Sequence, residues 1–586
     1  MHDRAGLRTF CTRERVRALA AGLVAFALVG AGAACTRAGA ENGADTPKMG
    51  GTLRVVLSGA MDHLDPQRMY TATEANFSRL TTRTLTTFRS EPGVAASQIV
   101  GDLATDTGRP SDNNQVWEFS LKKGAKWADG APVTCADVKY GVERSFSKLF
   151  AEGAKYPSQY LEPNAQPYEG PFVGGNNNGK GLESIECVDT VTVRFHLHQP
   201  VGDFGYTVAM PVFAPVPAAK DTKDEYDKHP FSSGPYKIEE NSDQQLVYVR
   251  NPFWDRETDS VRKAYPDKIV VSWNPDQPSV TNDLVNSEGE WADAIDVESN
   301  VSAPFVQQVI NDPALSKRAV SGSTGGVRYF AINIRTVPDL RCRQALEYGI
   351  NKRKFRAALG GSVFGDFATT MITPQLKAYK DFDLYNSRSS IEGDPDKALD
   401  LMKQAAAAGR PCPARLKVAY ADTRDYQRVI STVVESYQRI GIEVQRVPIP
   451  PKAYLSKTGI GNPANGNDLM LTGWIPDWAN GSAVIPPLFD GRLIPKDGSG
   501  GNVNFSNLND DQVNHLIDQA LAESQLDRQY ILWGELDEKI QGMAATIPLL
   551  YIKALRMTGT NVRGGFIHPQ FGQPDLGAIG LADPAR

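Results

Sequence analysis

The sequence has no cluster of charge of one sign and, beyond its N-terminus, no long apolar run. Its 586 residues contain 63 Lys and Arg against 68 Asp and Glu, and the basic residues are spread along the chain. This distribution gives no electrostatic basis for binding nucleic acid. No later segment has about 18 unbroken apolar residues, the length that a membrane-spanning helix needs. With 41% hydrophobic residues, a chain of this length predicts a globular protein of two or more lobes.

Signatures of hydrolytic enzymes and of metal sites are also missing. The chain contains neither a G-x-S-x-G nor an H-E-x-x-H motif, and its seven histidines are scattered. His196 and His198 alternate along one predicted strand, but no acidic or cysteine partner follows at ligand spacing, so an exposed strand face is favoured. No metal or other cofactor is expected. Because catalytic triads assemble in space, a secreted hydrolase stays open as an alternative.

The N-terminus has the layout of a secretory signal. Basic residues precede an apolar run from Leu19 to Val29, and small residues follow as far as Cys35. Gly32-Ala33-Ala34-Cys35 resembles the lipobox of bacterial lipoproteins, although Gly32 replaces the usual leucine. We therefore expect residues 1–35 to be a signal peptide with lipidation at Cys35, ordinary cleavage being the alternative. Residues 36–48 are small and polar, as in a flexible tether.

Four cysteines remain in the exported part: Cys135, Cys187, Cys342 and Cys412. An even number in an oxidising compartment favours disulfides, and no C-x-x-C pair suggests zinc or redox exchange. The residues alone leave three pairings open.

Helices and strands can be predicted in several segments of the chain. Thr134 should cap a helix in which Val138 and Val142 recur at helical spacing. In the second half, a strand from Leu416 to Tyr420, a helix from Asp425 to Ile440 and a strand from Ile442 follow one another, which predicts a mainly parallel sheet. The Gly-, Asn- and Pro-rich stretches 153–183 and 458–468 are predicted to lie on the surface or at the rim of a cleft.

A family resemblance emerges from motifs spread across the chain. Both the motifs and their order along the chain resemble those of the large extracytoplasmic solute-binding proteins of the oligopeptide and dipeptide transport class (family 5), which serve ATP-driven importers. The motifs are GGTLRVVL with LDP, DLATD, WEFSLKKGAKWADGAPVTCADVKYGVER, SSGPYKI, RNPFWD, YFAIN with RCRQALEYGINK, LTGWIPDW and IPLLY.

The resemblance implies a two-lobed α/β fold of the periplasmic-binding-protein type (type II, cluster C). Lobe one would hold residues 49–320, with an extra subdomain at about 79–228, and lobe two residues 321–548, after which residues 549–586 return to lobe one. Two crossover strands would allow hinged closure around a ligand. This division favours the disulfides Cys135–Cys187 and Cys342–Cys412, because each pair then lies within one lobe.

The resemblance also implies a ligand site around Trp474 and Asp477. In peptide-binding relatives a Trp-x-x-Asp pattern places the aspartate against the α-amino group of the ligand. Trp478 could add an aromatic surface, and Arg492 could meet a carboxylate. The alternatives are a turn aspartate after Pro476, a core position for Trp474 and a surface ion pair for Arg492.

The function implied is that of a monomeric, non-enzymatic lipoprotein at the outer face of the cell membrane, or in the periplasm. It would capture a peptide or similar small solute between its lobes and deliver it to the permease subunits of an ABC importer. The alternatives are the secreted hydrolase and a receptor of the same fold that senses a non-peptide ligand.

Overall fold

The computed structural model describes residues 46–586, except 151, 162–166, 174–180, 455–458 and 496–501. The signal peptide, Cys35 and most of the tether therefore lie outside the described residues. Within the described ranges, no helix is both long and apolar enough to cross a membrane. The Lys48 amide donates to the Leu581 carbonyl at 2.8 Å, so the folded part begins no later than Lys48.

Strands occur along the whole of the described chain. They are β1 (Thr52–Leu57), β2 (Thr86–Phe88), β3 (Ile99–Gly101), β4 (Arg109–Ser111), β5 (Val116–Ser120), β6 (Ile185–Cys187), β7 (Thr192–His196), β8 (Tyr236–Asn241), β9 (Gln245–Arg250), β10 (Lys268–Trp273), β11 (Ala294–Asp296), β12 (Ala319–Ile332), β13 (Gly365–Phe367), β14 (Arg415–Ala421), β15 (Glu443–Ile449), β16 (Leu469–Trp474), β17 (Thr546–Met557), β18 (Val562–Arg563), β19 (Ile567–His568), β20 (Gln573–Pro574) and β21 (Gly580–Leu581).

The helices are interspersed with these strands. They are α1 (Ala72–Thr81), α2 (Cys135–Arg144), α3 (Tyr156–Leu161), α4 (Phe204–Thr207), α5 (Gln277–Asn286), α6 (Val306–Asn311), α7 (Pro313–Arg318), α8 (Leu340–Gly349), α9 (Lys352–Ala358), α10 (Pro395–Ala407), α11 (Arg424–Gln438), α12 (Ile485–Phe489), α13 (Asp511–Ala522) and α14 (Leu526–Gly542).

The first lobe contains a five-stranded sheet in the order β11-β1-β10-β9-β8. Leu53 and Val55 of β1 are fully buried in the core that α1 covers with Phe77 and Leu80. β1 runs parallel to β10 and β11. Since parallel strands end at the same edge of a sheet, the segments after these three strands share one rim, where ligands of α/β folds bind.

The second lobe contains a six-stranded sheet in the order β13-β17-β12-β16-β14-β15. Its long strands β12 and β17 pair antiparallel from Ala319 opposite Met557 to Ala331 opposite Thr546. Near their first-lobe ends, Leu555 and Met557 share a core with Val56 of β1. These two strands therefore connect the lobes, as expected for a hinged pair of lobes.

A third sheet, in the order β4-β5-β7-β6, is antiparallel and has its own core. Helix α2 packs against this sheet and begins at Thr134, which forms the predicted cap as half of a capping box with Asp137. Cys135 and Cys187 are disulfide-bonded here, and Cys342 and Cys412 are disulfide-bonded in the second lobe.

The second-half elements form where the pattern predicts them, but the sheet is mixed. The predicted helix is α11, capped by Thr423 and followed by Gly441 at φ 76°. β14 is parallel to β15 and β16, whereas β12 is antiparallel to β16 and β17, and β13 is antiparallel to β17. The prediction of a mainly parallel sheet was wrong because the strands that cross between the lobes enter this sheet in opposite directions.

Candidate functional site

The segment after β16 carries the predicted Trp-x-x-Asp pattern to the boundary with the first lobe. The Asp477 carboxylate accepts hydrogen bonds from the hydroxyls of Tyr156 in α3 and of Tyr70, which precedes α1. Burial raises the pKa of Asp477 to about 6, and the two hydroxyls counteract part of this rise. Among the described residues, no Lys, Arg or His forms an ion pair with Asp477. The carboxylate is thus desolvated and lacks a cationic partner within the described ranges.

A cavity of about 250 Å³ adjoins Asp477 between the two lobes. Most of its walls are apolar, and polar groups are concentrated beside Asp477. The lining residues are Tyr70, Thr71, Ala72, Ala75, Phe88, Ala209, Met210, Pro211, Ile475, Pro476, Asp477, Gln570 and Phe571.

The two predicted tryptophans occupy packed positions beside this cavity and do not line it. Trp474 donates its indole N–H to the Ala483 carbonyl at 2.7 Å and packs on the second-lobe core. Trp478 is only 2% exposed, and its ring meets that of Tyr156 edge-on with centroids 4.9 Å apart. Trp478 therefore packs against the tyrosine that donates to Asp477, whereas Trp474 belongs to the second-lobe core.

The next residues along the chain bind the first lobe directly. Asp203, which is fully buried, accepts hydrogen bonds from Trp478 at 3.3 Å, from Asn480 at 2.7 Å and from Ser482. The Gly202 amide donates to the Leu521 carbonyl at 2.8 Å. Asp477 thus lies next to a polar contact between the lobes whose hydrogen bonds come from the protein itself.

Arg492 lies apart from Asp477. Its guanidinium pairs with Asp490 and Asp518, both at 2.7 Å. It lines a surface cavity with Arg335 and His515, and the cavity beside Asp477 shares no residue with that one. The structure therefore places Arg492 in a surface ion-pair network and does not bring it to the other predicted site residues.

β16 presents part of one backbone edge beside the site. Its full length pairs with β12, whereas on the other side β14 pairs only with Leu469 and Met470. Gly473 and Ile475 are exposed. The Tyr454 hydroxyl donates to the Leu471 carbonyl, and beyond it the edge from Thr472 to Trp474 is not covered by β14, so an extended ligand could add there as a strand.

Sequence reasoning did not identify Tyr70, Tyr156 or Asp203. Tyr156 falls within the stretch 153–183, which was predicted to lie on the surface or at a cleft rim, and this was the one available signal. Neither Tyr70 nor Asp203 is near Asp477 in the chain, and no local pattern marks either residue. Only the tertiary structure places them at the lobe boundary.

Comparisons with known proteins agree with this architecture. Residues 98–493, more than half of the chain, match the model of the bacterial extracellular solute-binding proteins, family 5 Middle. The structure of clavulanic acid biosynthesis oligopeptide binding protein 2 is 31% identical in sequence and superposes with a TM-score of 0.84, covering 92% of this chain and 97% of that one.

Two further relatives are more distant. The glutathione-binding protein GsiB of Salmonella paratyphi A is 24% identical over 476 residues, which is 79% of this chain and 82% of GsiB. The periplasmic binding protein DppA of Helicobacter pylori, solved with the peptide STSA, is 21% identical with a TM-score of 0.66, covering 92% of this chain and 99% of that one. The motifs, the two lobes and these matches show that the chain belongs to family 5 of the bacterial extracellular solute-binding proteins.

Proposed function

We propose that this protein is the substrate-binding protein of an ABC importer, which captures a short peptide or peptide-like solute between its lobes and delivers it to the permease. The observation that carries the proposal is the Asp477 carboxylate, which is buried beside an interlobe cavity and has no cationic partner among the described residues. A ligand α-ammonium group would supply that partner and form a charge-assisted hydrogen bond.

The uncovered edge of β16 supports a peptide ligand in particular. Main-chain groups from Thr472 to Trp474 can pair with an extended backbone whatever its side chains are, while Asp477 sets the position of the N-terminus. The relatives named above agree, since glutathione and the peptide STSA are both short peptides.

The other parts of the proposal concern the location of the protein and the fate of its ligand. The chain would be exported, lipidated at Cys35 and held at the outer face of the cell membrane as a monomer. The ligand would be released unchanged, as expected of a receptor and not of a hydrolase. Mass spectrometry of the protein and its ligand before and after incubation tests this, because peptide fragments would indicate hydrolysis.

The decisive experiment compares ligands that differ only at the amine. We expect a short peptide with a free N-terminus to bind at least about 30-fold more tightly than its N-acetylated form, since acetylation removes the charge that pairs with Asp477. In Asp477→Asn this difference should largely disappear, while Asp518→Asn, on the remote Arg492 network, should retain it. Calorimetry that finds equal affinities in the wild-type protein would overturn the assignment of Asp477.

A further inference from the structure

A second and larger cavity, of about 830 Å³, lies between the lobes and is not used by the site around Asp477. The first lobe contributes Gln277 and Asn300, which follow β10 and β11 at the rim of its sheet. The second lobe contributes the start of α11, and the crossing strands contribute Arg328, Ile552 and Lys553. This cavity and the one beside Asp477 have no lining residue in common.

Three cationic side chains line this larger cavity, and two are neutralised. Arg428 pairs with Asp425 at 2.6 Å, and Lys553 pairs with Asp366 at 2.6 Å. Arg328 differs, because no carboxylate of the described chain lies within ion-pair distance of it and its guanidinium donates no hydrogen bond to those residues. Its guanidinium carbon lies 5.1 Å from the centroid of the Tyr426 ring, which holds the group over an aromatic face.

This arrangement is unusual among the buried arginines of the protein. Arg83 pairs with Asp102 at 2.7 Å, Arg144 with Asp65 at 2.6 Å and Arg262 with Asp102 at 2.8 Å. Arg343 and Arg556, which are also buried, have no carboxylate partner but donate to backbone carbonyls or to the Asn300 side chain. Each of these buried arginines therefore has an acceptor within the protein, as the cost of burying an unsatisfied charge requires. Arg328 is partly buried, and desolvation lowers its pKa, yet it has neither a carboxylate partner nor a hydrogen-bond acceptor among the described residues.

Arg328 also lies close to the edge of β16 at which a peptide ligand is proposed to bind. Arg328 of β12 lies opposite Gly473 of β16, whose lack of a side chain leaves room across the uncovered strand edge. Gly473 precedes Asp477 by four residues, at most about 14 Å of extended chain. One short ligand can span such a separation.

We propose that Arg328 is a specificity-determining residue that binds a carboxylate of the ligand in this second cavity. The planar guanidinium can donate two parallel hydrogen bonds to a carboxylate, which an ammonium group cannot match in geometry. The inference rests on the proposed function and extends it: the ligand carries an amine for Asp477 and a carboxylate for Arg328. The carboxylate belongs either to the C-terminus or to an acidic side chain.

The test uses peptide libraries of three to six residues with free N-termini. One library has free C-termini, a second is C-terminally amidated without acidic residues, and a third is amidated but contains one glutamate. The protein is incubated with each library, and native mass spectrometry measures the retained peptides. We expect at least about tenfold greater retention from the first or the third library than from the second, and which of the two is retained identifies the source of the carboxylate.

Variants separate the role of Arg328 from general effects on charge. Arg328→Gln should abolish the preference for carboxylate-bearing peptides, and Arg328→Lys should weaken but retain it. Arg428→Gln, which alters a neutralised cation in the same cavity, should leave it intact. Circular dichroism verifies that each variant is folded.

Two results would overturn the inference. The first is wild-type protein that retains all three libraries equally, and the second is folded Arg328→Gln that keeps the preference. Retention of no library at all would overturn the proposed function itself, and with it the ligand assigned to Arg328. Loss of the carboxylate preference with continued dependence on a free N-terminus would support Arg328 and leave Asp477 unaffected.

Discussion

Asp203 and Asp477 are two aspartates at the same lobe boundary, and their surroundings differ. Burial raises the pKa of both carboxyl groups, and neither has a cationic partner in the described part of the chain. Oδ2 of Asp203 in the first lobe accepts hydrogen bonds from three donors of the second lobe, while its Oδ1 has no partner among the described residues. Asp477 receives two tyrosine hydroxyls and adjoins an apolar cavity. The comparison teaches that one carboxylate bonds across the lobe boundary, whereas the other adjoins a cavity, which is the observation behind the ligand role proposed for Asp477.

Replacing Asp203 tests most directly whether its hydrogen bonds stabilise the contact between the lobes. Asp203→Ala leaves the Ser482 hydroxyl and one N–H of Asn480 buried without their acceptor, while Trp478 keeps its bond to Ser482 and Asn480 its bond to Gln529. We expect the free energy of unfolding to fall by about 3 kcal/mol. Chemical denaturation at pH 7 measures this loss. Asp129→Ala removes a surface partner of Lys220 and should cost less than about 1 kcal/mol. Equal losses in the two variants would show that Asp203 does not hold the lobes.

The pH dependence of ligand binding tests whether the Asp477 carboxylate pairs with a ligand ammonium group. Its pKa of about 6 means that the ligand-free protein holds a neutral carboxyl group below pH 6 and a carboxylate above it. Because an ammonium group requires the carboxylate, we expect the association constant to fall about tenfold per pH unit below pH 6, until the lower pKa of the complex is reached. Above about pH 8 the peptide amine loses its proton, and affinity should fall again.

Calorimetry between pH 5 and pH 9 measures this profile. Asp477→Asn should bind weakly and lack the acidic decline, because an amide does not titrate in this range. An acidic decline that persists unchanged in Asp477→Asn would assign the titration to another group.

The smallest expected effect concerns a single donor to Asp477. The hydrogen bond from Tyr156 lowers the pKa of Asp477, so in Tyr156→Phe that pKa should rise and the acidic decline should begin at a higher pH. Affinity at pH 7 should fall by about threefold, the loss expected for one hydrogen bond. Tyr160→Phe is the matched control, since its ring stacks on Tyr156 with centroids 6.1 Å apart. A shift of the same size in both variants would contradict the role given to the Tyr156 hydroxyl.

Local patterns predicted much of the secondary structure. The cap at Thr134, the helix α11 and its flanking strands follow from capping residues and from the spacing of apolar side chains, which act within one or two turns of a helix. The order of motifs along the chain led to the two-lobed fold and the solute-binding family, both of which are confirmed. The direction of the crossing strands was not predicted, because strand pairing joins residues more than 200 positions apart.

The candidate site was only partly predictable. The Trp-x-x-Asp pattern led to Asp477, but it also suggested an exposed role for Trp478, which is almost completely buried. Arg492 was a reasonable cation for a carboxylate, yet the structure pairs it with two aspartates. Arg328 was not identified from the sequence, because it lies inside strand β12 and its proposed role depends on the lack of an acceptor among the described residues.

The sequence by itself determined the family, the class of fold and several helix and strand positions, and it pointed to Asp477 as a candidate, since these depend on local spacing and on the order of motifs. Only the tertiary structure decided which carboxylate accepts hydrogen bonds across the lobe boundary, which adjoins a cavity, and which cavity-lining arginine has no acceptor among the described residues. The physical reason is that desolvation and hydrogen bonding depend on every group that packs around an atom, and at this boundary those groups come from distant parts of the chain.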